Sequence, residues 1–213
     1  MKLAESSVSR SRRTQERAEI TRKKLIKVAI QLFSERGIEG VTVREIEVQA
    51  GVQRNLLQYH FGTKDEIWKA CAAELISQID SFTADRWRLL RDLSPRERLS
   101  YILRSYVRFA ASCPEFNRMM VQEGKRHSWR VEWLVSEYLK PSMLFLRRIV
   151  SADLQISDED FVHWYYMFAG AGSLIFSMAP EAKLLFGIDV NKEELIDRHA
   201  NMMTDFLLSR SGS

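Results

Sequence analysis

Two helix-start signals and one glycine turn, all between Thr42 and Lys64 (TVREIEVQAGVQRNLLQYHFGTK), constrain this chain more than any other stretch. Thr42-Val-Arg-Glu45 has the spacing at which a threonine hydroxyl and a glutamate carboxylate satisfy each other's helix-start N–H groups. Val43, Ile46 and Ala50 then share one face of a short helix, and Gly51 supplies the turn. Val52, Leu56, Leu57 and Phe61 give the next helix its buried side, and Gly62 ends it. Thr63 with Glu66 opens a fourth helix by the same kind of cap. Two short helices joined by one tight turn describe a helix-turn-helix, whose second helix is shaped for the major groove of DNA.

The flanking residues predict more helices and no sheet. Upstream, Leu25, Val28, Ala29, Leu32 and Phe33 follow the i, i+3, i+4, i+7, i+8 stripe, and Gly37 and Gly40 stop that helix. Trp68, Ala72, Leu75, Ile79 and Phe82 mark a long fourth helix continuing toward Leu90. Ser94-Pro95-Arg96-Glu97 combines an N-cap, an N1 proline and an N3 glutamate ahead of Leu99, Ile102, Leu103 and Tyr106. Pro114 begins a helix reaching about Gly124, and Ser128 to Val150 forms another that Pro141 kinks or splits. Ser157 with Asp160, and Asn191 with Glu194, cap the last two. Glycine (9) and proline (4) are sparse, and no alternating run of strand length occurs. The expectation is an all-α protein of about nine helices: a flexible basic arm over 1–14, a helix-turn-helix domain over 15–68, and a helical domain over 69–213.

Charge divides along the same line. Residues 1–70 carry 14 Lys/Arg against 9 Asp/Glu, while the remainder carries 18 against 19. A local excess of base suits a polyanion, because phosphate contacts release condensed counterions. Cys71 and Cys113 lie far apart without metal-ligand spacing, which fits a reducing cytoplasm and no structural disulfide. Residues 1–20 have no apolar signal core.

Phe161 to Pro180 runs without a formal charge for about the length of a spanning helix. His163, two glycines, two serines, two tyrosines and acidic flanks argue instead for a helix buried in a core or subunit interface. No nucleophile elbow, cysteine–histidine pair or phosphate-cradling glycine loop is present, so no enzyme activity and no cofactor are expected.

With these residues in view, the N-terminal third resembles the TetR family of bacterial transcriptional regulators. The shared phrases are Leu32-Phe33 with Gly37, Thr42 with Ile46, Ala50-Gly51-Val52, Tyr59-His60-Phe61, and Lys64-Asp65. Departures are Glu47 in place of a small alanine, which needs room or a partner such as Arg54, Asn55 for a frequent glycine, Leu56 for Thr or Ser, and Gln58 for Tyr. The resemblance implies a ligand-responsive repressor, a homodimer acting on a pseudo-palindromic operator; a ligand-independent DNA-binding protein of the same fold is the alternative. Its partners would be double-stranded DNA, a second copy and a small-molecule effector, in the cytoplasm and away from membranes.

Candidate residues follow. Gln53, Arg54 and Asn55 open the recognition helix, about Gln53–Phe61, where Arg pairs with guanine and Asn or Gln with adenine. Thr42 presents a helix start to a phosphate. Tyr59 and Lys64 match family positions on the DNA backbone, with Arg44 and Gln58 beside them. Arg10, Arg12, Arg13 and Arg17 would add minor-groove or nonspecific attraction.

For an effector pocket the apolar candidates are Tyr106, Phe109, Met120, Trp129, Trp133, Phe145, Trp164 and Met167, although for each aromatic ordinary core packing is the favoured reading. The polar candidates are Glu123, Arg126, His127 and His163. Glu123 and His127 stand i, i+4, but two ligands are too few for a metal site, and none is expected. The resemblance implies dimerisation by the last two helices, through Phe161, Tyr165, Phe168, Gly172, Leu195, Ile196, His199, Met202, Met203 and Phe206.

Overall fold

The computed structural model describes residues 2–84 and 89–209, without the side chains of 2–14, 80–84, 89, 91 and 152. Among its described residues the α-helices are α1 (Lys2–Arg36), α2 (Val43–Gln49), α3 (Leu56–Phe61), α4 (Lys64–Ala84), α5 (Pro95–Ser112), α6 (Pro114–Gly124), α7 (Trp129–Leu134), α8 (Lys140–Leu154), α9 (Asp158–Ser177), α10 (Ala179–Phe186) and α11 (Glu193–Leu208), and there is no strand. The chain divides into two compact units, residues 1–74 and 75–213, with the boundary inside α4.

In the first unit α1, α2 and α3 pack on one another around Leu25, Ala29, Phe33, Ile46 and Leu57, with Ile67, Trp68 and Cys71 of α4 equally buried. The Thr42–Glu45 capping box forms as expected, and Thr63 Oγ1 accepts from the Glu66 N–H at 3.2 Å. The stretch 1–14, expected as a flexible arm, instead continues α1 upstream to Lys2. No glycine or proline interrupts the chain before Gly37, so nothing in it breaks the helix. Arg17 is exposed on α1, while the side chains of Arg10, Arg12 and Arg13 lie outside the described residues.

In the second unit α5 is the central helix, packed by α6, α8, α9 and α11. Leu99, Leu103 and Val107 of α5, Phe161, Trp164, Phe168 and Phe176 of α9, and Ile196, Ala200, Met203 and Leu207 of α11 make its core. The Ser94 capping box with Pro95 in the first turn, the Pro114 start and the Ser157 cap form where the sequence places them, and Ser128 additionally caps α7 by accepting from the Val131 N–H.

The Pro141 region behaves as expected, and two later features do not. The Ser128–Val150 helix carries a π turn over Val135–Leu139, immediately before Pro141. Proline has no N–H for the carbonyl four residues back, so the widened turn sits where the regular ladder would fail. α10 was not anticipated, because Leu184, Leu185 and Phe186 show no amphipathic spacing. The last helix starts at Glu193 without the Asn191 cap; Asp189 Oδ1 accepts from the Asn191 N–H at 3.1 Å and turns the chain there instead. The expected run of α4 toward Leu90 crosses 85–88, outside the described residues, and Leu89–Asp92 form a 3-10 turn. Among the described residues no helix is long and apolar enough to cross a membrane.

Candidate nucleic-acid interface

α2 and α3 meet at a turn built from backbone. Gly51 adopts φ +64, a conformation that costs a β-carbon-bearing residue strain, and its N–H reaches Val48 O at 3.1 Å. Gln53, Arg54 and Asn55 then precede α3 rather than opening it, so the regular helix is shorter than the expected Gln53–Phe61. The reason is Asn55, at φ 69 in the left-handed region, where asparagine is among the few tolerated side chains. All three polar side chains stand exposed on this turn.

Beyond it, Gln58 is exposed and Tyr59 is 80% exposed, its ring edge-on to His60 at 5.1 Å between centroids. Leu57 faces inward, and Arg22 of α1 lies over the Phe61 ring at 5.1 Å. The exposed face of α3 is thus polar and aromatic, and its opposite face is anchored.

The expected partner for Glu47 was Arg54. Glu47 is instead buried, its Oε1 accepting from the Leu57 N–H at 3.2 Å and its Oε2 lying 3.7 Å from Arg44, which stays largely exposed. Glu47 belongs to α2's inner face, one turn from Arg44 and opposite α3's first turn, so an exposed turn residue is not its nearest cation.

At the start of α2, Thr42 is exposed and its Oγ1 both donates to Glu45 Oε2 (2.8 Å) and accepts from the Glu45 N–H (3.2 Å). Arg36 adds a 3.0 Å ion pair to the same carboxylate. The Thr42 backbone and hydroxyl hydrogen bonds, helped by Arg36, hold the Glu45 carboxyl down to about 2.

Lys64 was expected to need a phosphate opposite its helix-start position. Its Nζ instead donates to Ile38 O at 3.0 Å and Val41 O at 3.1 Å, so the ammonium clamps the α1–α2 connection. Carbonyl dipoles answer the positive charge that the first turn of α4 disfavours. Exposed lysines on α1, Lys23, Lys24 and Lys27, were not singled out from sequence; only the general excess of base pointed to them.

The second unit does not gather the expected polar pocket residues. Arg126, His127 and His163 are exposed. Glu123 is buried, but its partner is Arg130 at 2.9 Å, while His127 pairs with Glu132 at 3.2 Å. α6 ends at Gly124, so the helical i, i+4 geometry that would join Glu123 to His127 is gone. Among the described residues no cluster of His, Cys, Asp or Glu fits a metal ion.

Of the apolar candidates, Phe109 and Trp164 are buried, Tyr106, Met120 and Trp133 are half-buried, and Trp129, Phe145 and Met167 are exposed. Tyr106 forms the polar centre that sequence did not reveal: its hydroxyl lies 3.0 Å from Asn117 Oδ1 and 3.2 Å from Ala169 O, joining α5, α6 and α9. Burial pushes its phenol up to about 12. Asn117 Nδ2 and Trp164 Nε1 are buried without a hydrogen-bond partner.

The expected interface residues also separate. Phe161, Phe168, Gly172, Ile196 and Met203 belong to the protomer's own core. A β-carbon on Gly172 would fall 2.6 Å from the Tyr106 ring, so this glycine serves α9–α5 packing. His199 Nε2 lies 2.7 Å from Ala171 O within the chain. Tyr165 and Leu195 are half-buried, and of the expected residues only Met202 and Phe206 stand largely exposed. The error is one of rotation: an apolar α9 is buried on one face and bare on the other, where Val162, Tyr166 and Leu174 point outward.

A glycine turn between two short packed helices, with a polar turn leading into the second, defines the first unit as a helix-turn-helix. Residues 25–71, within this unit, match the model of the bacterial regulatory proteins, tetR family. The transcriptional regulator BetI 2 of Chromohalobacter salexigens is 27% identical over 130 residues, 61% of this chain and 58% of the relative, so the alignment spans under two thirds of that relative's length. Two solved structures share the fold. One is AibR in complex with isovaleryl coenzyme A and operator DNA (TM-score 0.68, 17% identity, 87% of this chain and 97% of that one). The other is FadR from Bacillus subtilis with stearoyl-CoA (TM-score 0.62, 18% identity, 88% and 98%).

Proposed function

We propose that the protein is a cytoplasmic, homodimeric transcriptional regulator, a ligand-responsive repressor that binds a pseudo-palindromic DNA operator. The observation that carries this reading is the exposed Gln53–Arg54–Asn55 turn, followed by Gln58 and Tyr59, set on a helix whose other face is buried. Arg54 reads guanine bidentately, Gln53 and Asn55 read adenine, and Thr42, Arg44 and Tyr59 contact phosphates. Lys64 acts chiefly by bracing the α1–α2 connection, with one N–H left for the backbone. The domains follow the functions: residues 15–68 bind DNA, and 69–213 dimerise and hold the effector.

The dimer uses the bare faces of α9 and α11, with Val162, Tyr166, Leu174, Met202 and Phe206 at its centre. Two copies related by a two-fold axis place two recognition turns on successive major grooves, about 34 Å apart.

The effector has an apolar chain and an acceptor oxygen. The AibR and FadR structures are complexes with isovaleryl coenzyme A and stearoyl-CoA, molecules of that kind. The aromatic row Phe161, Trp164 and Phe168 suits the chain, and the unpaired Asn117 Nδ2 beside Tyr106 suits the oxygen. Effector and operator oppose each other through a coupling free energy that is reciprocal. Thermal shift with short- and long-chain acyl-CoA tests the effector; a midpoint unmoved by either at saturating concentration contradicts the acyl reading.

A further inference from the structure

The turn presenting Gln53, Arg54 and Asn55 has no cap of its own. Asn55 sits at the N-cap of α3, yet its side chain makes no capping hydrogen bond and its backbone is left-handed. The first N–H groups of any helix lack an intrahelical acceptor. Here the acceptor comes from the preceding helix. Glu47 Oε1 takes the Leu57 N–H at 3.2 Å, while the carbonyl oxygen of the same residue takes the Val52 N–H at 3.0 Å. One residue therefore grips both ends of the turn. Glu47 is only 2% exposed, so water does not compete for the bond.

We propose that Glu47 is the positioning residue of the DNA-reading turn. Its carboxylate ties the start of α3 to α2, keeps Asn55 in its left-handed conformation, and thereby sets the direction in which Gln53 and Arg54 leave the surface. The inference rests on the DNA-binding reading above. Its signature is selectivity rather than stability alone: without the carboxylate the Val52 bond and the buried Leu57 side chain remain, so α3 stays docked while its first turn loosens.

The test compares Glu47→Ala and Glu47→Gln with the wild type. Fluorescence anisotropy measures each protein on a duplex from its own upstream region and on a scrambled duplex, and hydrogen exchange follows the Leu57 amide. Glu47→Ala is expected to speed Leu57 exchange by about tenfold or more, the cost of orphaning a buried donor. The ratio of specific to scrambled affinity is expected to fall by about tenfold, roughly one weakened base contact. Glu47→Gln, which keeps an acceptor oxygen, restores most of both. A thermal melt of each variant separates the alternatives: a purely structural role lowers the melting midpoint and leaves the affinity ratio unchanged, which overturns the proposal. Unchanged Leu57 exchange in Glu47→Ala, or a glutamine variant as impaired as the alanine one, also overturns it. If the wild type binds neither duplex, the DNA reading fails, and the exchange arm still decides whether Glu47 orders the turn.

Discussion

The two units cover their apolar side chains to very different extents. Among the described residues of 1–74, the large apolar side chains left exposed are Ile20, Val48 and Tyr59. In 75–213 the exposed set includes Val162, Tyr166, Leu174, Leu184, Leu185, Phe186, Met202 and Phe206, with Leu184 at 88%. A first unit that buries its own core and shows the solvent polar groups is suited to a polar, charged partner. A second unit with bare α9, α10 and α11 surfaces is suited to an apolar one, which under the proposal is its own copy.

The contrast can be tested from the second unit first, where the effects are largest. Met202→Asp with Phe206→Asp places two charges on the proposed dimer face and is expected to convert the protein to monomer at micromolar concentration. Analytical ultracentrifugation checks this; a persistent dimer would move the interface elsewhere. Leu103→Ala in α5 deletes a side chain with no exposure at the centre of the second core and is expected to cost about 3–5 kcal/mol by urea unfolding. Glu123→Ala removes the 2.9 Å ion pair that Glu123 makes with Arg130 and is expected to cost about 3 kcal/mol. Replacing both members of that pair with apolar residues recovers most of the loss.

In the first unit the expected effects are smaller and tied to binding. Arg54→Ala is expected to weaken operator binding by about 1–3 kcal/mol with no change in stability, since the side chain is exposed. The Glu45 carboxyl sits near 2, below its ordinary 4.5, so the stability it adds is present above pH 4.5 and is lost as pH falls toward 2. Glu45→Gln therefore flattens the acid limb of the stability–pH profile between those values, measured by urea unfolding in steps of pH. An unchanged acid limb would place the acid sensitivity in other carboxylates.

How far the residues alone led depended on the range of the interaction. The caps at Thr42, Ser94 and Ser157, and the turn at Gly51, are local patterns within four residues, and each forms where the sequence places it. Glu47 was marked as an anomaly, but its partner lies ten residues away on another helix, and spacing does not select a backbone N–H at that distance. For Lys64 the sequence shows a cation at a helix start but not its acceptors, which are carbonyls 23 and 26 residues upstream. For α9 the composition signalled burial without saying which face meets the protomer's own core, so Phe161, Phe168 and Gly172 were assigned outward and point inward. Polar pocket candidates were chosen by residue type. Tyr106 with Asn117 could be found only once α5, α6 and α9 were folded together.

The central claim is sequence-selective DNA binding by the first unit within a dimer. Its most direct measurement is a fluorescence anisotropy titration of the full chain against its own upstream duplex and a scrambled one, across a salt series. Nanomolar affinity is expected for the first, with a binding constant falling log-linearly with salt and at least about a thousandfold preference over the scrambled duplex. Equal affinity for both duplexes, or no binding to either at micromolar protein, would contradict it.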